Sequence, residues 1–147
     1  MRVWLILVLT FLAFGCERTD YPASIDSQQV LGNWRLVEPT SKFSTTLTIE
    51  VDQPSGGTIS GIYSLKLTGK AAVNTYMATA RLLNSETGSL DVDYAGSTKI
   101  GGSVEEMQFE KTYSANLDAV NRYEITEKLR LYYEHAESGV LVYEKIK

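Results

Sequence analysis

Side chains capable of chemistry are few in this chain and lie far apart. Cys16 is the only cysteine and His135 the only histidine among 147 residues. A zinc site needs several Cys, His or carboxylate ligands, and a nucleophile needs a base that a third group orients. His135 stands in His-Ala-Glu-Ser beside a turn and is expected to be a solvated loop residue. Asp91 and Asp93, at i and i+2, would point to the same side of a strand, a spacing that suits acid–base work or calcium. Alternating with Leu90, Val92 and Tyr94, they fit an outward polar face better. Gly56-Gly57 and Gly101-Gly102 lack the basic and hydroxyl arrangement of a phosphate-binding loop. No catalytic residue, no metal site and no cofactor is expected.

Two other groups carry more information. Glu110, at 100° per residue, falls between Phe109 and Tyr113 and so borders an apolar helix stripe. A carboxylate there needs a strand arginine or backbone donors to stay ionised. It is expected to be a structural anchor between helix and sheet, with ligand binding as the other use. Nine tyrosines are present, with Tyr132, Tyr133 and Tyr143 on late strands. Tyrosine offers a large apolar body and a hydrogen-bonding tip. Tyr132 and Tyr133 must point to opposite faces, so these three are the candidate interaction or ligand surface. Ordinary strand tyrosines half covered by their neighbours are the plainer reading.

The elements that position these residues follow from periodicity. Trp34–Val37, Thr45–Val51, Thr58–Thr68, Ala71–Leu82 and Leu90–Tyr94 read as strands, with turns at 53–57, at Gly69-Lys70 and at 86–88. In Thr45–Val51, Leu47, Ile49 and Val51 share one face. Ser103-Val104-Glu105-Glu106 is a capping box with acids in its first turn, which suits the helix dipole. Behind it Phe109, Tyr113, Leu117 and Val120 form one stripe, predicting a helix over Val104–Ala119. Arg122–Thr126, Leu129–Glu134 and Val140–Lys145 return to strands around a turn at 137–139. The expected fold class is α+β: mostly antiparallel β-sheet, or a partly closed barrel, of seven to eight strands packed on one α-helix.

Ahead of that domain the chain changes character. Residues 1–15 carry Arg2 and then the apolar run Val3–Phe14, too short for a span of roughly 20 residues but suited to a signal peptide. Leu12-Ala13-Phe14-Gly15-Cys16 resembles a bacterial lipobox, with Ala13 where leucine is usual and a bulky Phe14. Cys16 is therefore expected to be the lipidated first residue. A lone thiol in an oxidising compartment has no partner, and acylation would remove it. The alternative is a plain secreted chain with an incidental cysteine. Residues 16–29, polar and containing Pro22, read as a flexible tether, which leaves 30–147 as one domain. Net charge is −4 and no run of Lys or Arg occurs, so nucleic acid is not an expected partner.

The order of short motifs in the domain resembles the META family. Leu31-Gly32-Asn33-Trp34-Arg35-Leu36 is similar to its opening strand, and Ile59-Ser60-Gly61 with Asn74-Thr75-Tyr76 to its S-G…N-x-Y segment. Ser97-Thr98-Lys99 falls where a threonine-bearing loop leads into the family's helix. Glu110, Tyr113, Leu117, Val120, Tyr123, Ile125, Leu129 and Leu131 match the spacing of its E-x-x-F-x-x-x-L helix and following strands. Val73 stands where many relatives carry cysteine, so no redox role is expected. The resemblance implies a compact β-rich fold with one helix and no enzymatic activity. Its bacterial members include heat-shock-associated envelope lipoproteins.

Together these readings lead to a non-enzymatic, lipid-anchored domain of the bacterial cell envelope, expected at the outer membrane, since Glu17 follows Cys16 where a retention signal would place aspartate. Its partners would be the membrane, through Cys16, and another envelope protein. An envelope-stress role follows only from the resemblance. The rival is a lipocalin-like carrier holding a small apolar ligand between helix and curved sheet.

Overall fold

The computed structural model describes residues 27–52, 62–83 and 88–147. The expected signal peptide, Cys16, most of the expected tether and the Ile59-Ser60-Gly61 motif lie outside them. A short 3-10 turn, Ser27–Val30, precedes strands β1 (Gly32–Glu38), β2 (Thr45–Val51), β3 (Ile62–Ala71), β4 (Asn74–Leu83) and β5 (Leu90–Ser97). Helix α1 (Val104–Asp118) follows, and then β6 (Val120–Ile125), β7 (Leu129–Glu134) and β8 (Ser138–Lys145).

All eight strands form one antiparallel sheet in the order β5-β4-β3-β2-β1-β8-β7-β6. Each pairing joins chain neighbours except β1 with β8, as expected of short turns. The outer strands approach each other. Ser89 bridges Arg122, and the Tyr123 amide donates to the Gly88 carbonyl at 2.8 Å. The sheet is thus a nearly closed barrel, with α1 packed on β3, β5, β7 and β8.

Strand alternation places the core inside. Leu47 and Ile49 of β2, Leu65 and Leu67 of β3, and Tyr76, Ala78, Ala80 and Leu82 of β4 are all buried, as are Leu129 and Leu131 of β7. Val51, expected on that face, is 55% exposed because it ends β2 at the rim. At one end of the barrel Val30 packs over Ile49, Leu65, Leu82, Leu90 and Leu129, and its carbonyl accepts the indole N–H of buried Trp34 at 2.9 Å. At the other end α1 turns Tyr113 and Leu117 inward. The capping box forms as expected: the Ser103 hydroxyl accepts from the Glu106 amide and the Glu106 carboxylate from the Ser103 amide.

The turn expected at Gly69-Lys70 lies instead at Ala72-Val73, and Gly69 sits inside β3 opposite Tyr76. A Cβ on Gly69 would lie 2.0 Å from the Thr46 carbonyl oxygen and 2.6 Å from the Tyr76 hydroxyl oxygen. The glycine lets the Tyr76 ring cross β3 to reach β2, an aromatic cover over a bare strand position. Tyr133 covers Gly139 in the same way. Glycine here marks a close approach, not a chain reversal.

Candidate functional site

Glu110 holds the helix end of the barrel together. One carboxylate oxygen accepts the Val73 amide at 2.8 Å and the Asn74 amide at 2.6 Å. The other accepts the Asn74 side-chain amide at 2.7 Å. Asn74, 7% exposed, also donates to the Ile100 carbonyl at 3.0 Å. Its own oxygen accepts the Thr98 hydroxyl at 2.7 Å and the Ile100 amide at 2.8 Å. The hydrogen-bonding capacity of that amide is filled. The cluster joins the β3–β4 turn, the β5–α1 loop and the helix, so Glu110 is the expected helix-to-sheet anchor, with backbone and amide donors in place of an arginine.

Beside this clamp three tyrosine hydroxyls form a buried chain. Tyr76 donates to the Thr46 carbonyl at 2.9 Å. Its single proton is then committed, so Tyr113 donates to Tyr76 at 2.8 Å and Tyr143 to Tyr113 at 2.9 Å. Burial, first among the causes, pushes all three phenols well above their ordinary value of 10.0. Helix α1 is therefore bound to the barrel by a carboxylate at its edge and a hydroxyl chain at its centre.

The other candidates separate. Tyr143 was expected on a surface, but it is fully buried; it lies in β8 opposite Leu129, and its hydroxyl faces the helix. Tyr132 is half-buried, with the Arg122 guanidinium 3.8 Å from its ring centre and its hydroxyl donated to Glu124 at 2.8 Å. That bond, ahead of burial, raises its pKa. Tyr133 covers Gly139 and stacks on His135 with ring centres 5.7 Å apart. His135 is exposed as expected, yet its Nε2 lies 2.8 Å from Oδ1 of buried Asn116. Asp91 and Asp93 face solvent, with Asp91 paired to Arg81 at 2.5 Å. Among the described residues no three or more His, Cys, Asp or Glu gather as metal ligands, and no helix is long and apolar enough to cross a membrane.

Among the described residues, the larger space lies outside the barrel. The gap left between Val30 and the strand leucines is about 10 Å³, at the lower limit for one water. A cleft of about 470 Å³ opens where α1 meets the β5–α1 loop, above Asn74 and Tyr76. Lys99, Ile100, Met107 and Lys111 line it. Sequence reasoning missed it. The available signal was Ile100, Val104 and Met107, which are apolar but off the helix stripe.

Two outcomes follow. Glu110→Ala leaves the Val73 and Asn74 donors unpaired and should cost about 3 kcal/mol in urea unfolding, with Glu110→Gln losing about half as much; a loss under about 0.5 kcal/mol in the alanine variant would remove the clamp from the account. The tyrosines give a pH signature. Unfolded phenols ionise near 10.0 while the buried ones stay protonated, so the unfolded state binds fewer protons and stability falls as pH rises past about 10. Tyr143→Phe leaves the Tyr113-to-Tyr76 bond intact and should make that alkaline fall in the unfolding midpoint shallower. An unchanged slope would contradict the buried chain.

The META domain model matches residues 28–145. No curated protein and no solved structure gives a significant match. The match spans every described strand and the helix, and it contains both the Glu110 clamp and the tyrosine chain. The chain belongs to the META domain family.

Proposed function

We propose that this chain is a non-enzymatic interaction domain of the bacterial cell envelope, held at a membrane through a lipid on Cys16. The observation that carries the reading is the filled barrel. Side chains from all eight strands, α1 and Val30 occupy the interior, so recognition falls to the outer surface and the open cleft. A lipocalin-like carrier would need an internal chamber of a few hundred Å³, whereas the described residues leave a gap of about 10 Å³ beneath Val30. The groups that could have served catalysis have structural work. Glu110 binds the β3–β4 turn, His135 meets Asn116 and Asp91 pairs with Arg81.

The anchor reading rests on the lipobox-like residues before Cys16, and delivery to the outer membrane on Glu17. A role in maintaining the envelope under stress is drawn from the family's bacterial members. Multiple acyl chains would hold the domain at a bilayer far longer than one could, placing it beside other envelope proteins.

Cell fractionation tests the anchor: Cys16→Ser should move the chain from the membrane to the soluble fraction, and retention at the membrane would refute it. Amine-reactive cross-linking in intact cells tests the interaction. The wild-type chain should give a discrete adduct with another envelope protein, whereas an uncross-linked chain at every reagent concentration would contradict the reading.

A further inference from the structure

We infer that the cleft between α1 and the β5–α1 loop is the partner-binding site, and that it takes a peptide segment carrying both acidic and apolar side chains. The inference rests on the interaction reading above and names the partner's chemistry. Three observations on the cleft converge.

The first is an excess of positive charge. Lys99 and Lys111 line the cleft from the loop and the helix. Both are exposed, and neither joins any of the ion pairs among the described residues. The one carboxylate in the lining, Glu110, turns both oxygens onto the Val73 and Asn74 donors. By formal charge the lining therefore carries two lysines against one glutamate, an excess of positive charge over a concave surface in a chain of net charge −4, which favours an anionic partner.

The second is apolar surface at the same place. Ile100 is 58% exposed, Met107 49% and Val104 79%. Met107 and Ile100 line the cleft, while Val104 sits one turn before Met107 on the same helix side. The three lie together on one side of the cleft's helix and loop. Methionine in particular adapts to varied apolar partners.

The third is position. Val30, from which the chain leads back toward Cys16, closes one end of the barrel, where Leu65 of β3 lies. The cleft is at the other end, where β3 finishes at Ala71. It therefore lies at the opposite end of the barrel from Val30, clear of the point where the chain enters the domain. A segment carrying both acidic and apolar side chains would set carboxylates on the two lysines and an apolar group between Ile100 and Met107.

The test uses the full chain in detergent micelles and fluorescence polarisation of a fluorescein-labelled peptide of alternating glutamate and leucine. Binding should exceed that of the lysine–leucine counterpart and fall as salt rises. Lys99→Glu with Lys111→Glu should weaken it about tenfold, and Met107→Ser should weaken it less. Lys66→Glu, exposed on β3, should leave it unchanged. Equal binding of the two peptides, or equal loss with Lys66→Glu, would overturn the proposal. So would tighter binding of palmitate with the same lysine dependence, since the occupant would then be an anionic amphiphile. If the cellular cross-linked adduct persists unchanged in the double lysine variant, the cleft assignment fails while the interaction reading stands.

Discussion

A carboxylate at the edge of a packed barrel is tolerated only while hydrogen-bond donors surround it, and Glu110 has three of them. Two are backbone amides of the β3–β4 turn, so the bond fixes the height at which α1 sits against the sheet. That height brings the Tyr113 hydroxyl between those of Tyr76 and Tyr143, and it seats Leu117 in the core. Without the clamp the helix would have to leave a buried phenol unpaired or open the barrel. The filled interior and the external cleft are both consequences of this docking.

The hydroxyl chain has a demanding geometry. Tyr76 reaches Thr46 only because Gly69 carries no side chain beneath its ring. Each hydroxyl then has one proton and one assigned acceptor, giving a continuous polar path beneath α1. Buried polar chains of this kind specify one arrangement of the elements when every member is satisfied. Here the arrangement specified is the depth of α1.

Much of this was legible in the sequence. The two-residue period of Thr45–Val51 and Leu90–Tyr94 marks their inward faces, and Ser103 with Glu106 marks the helix start. Glu110 was readable as an anchor because its angle on the helix wheel brings it beside Phe109 and Tyr113. Tyr143 was not readable as buried, since a tyrosine on a late strand has the same local pattern whether its hydroxyl meets water or another phenol. Gly69 misled for a related reason: a glycine that permits a close approach looks, in sequence, like one that permits a turn. The cleft arises from residues far apart in the chain, Asn74, Lys99 and Met107, and no local period brings them together.

The central claim is that the barrel is occupied by its own side chains, so that recognition happens outside it. Native mass spectrometry on a soluble chain beginning at Glu17, purified gently from a bacterial host, tests this most directly. The account predicts the mass of the bare polypeptide. A reproducible small-molecule adduct that survives Lys99→Glu with Lys111→Glu and disappears on denaturation would mean that the fold encloses a ligand, and would contradict it.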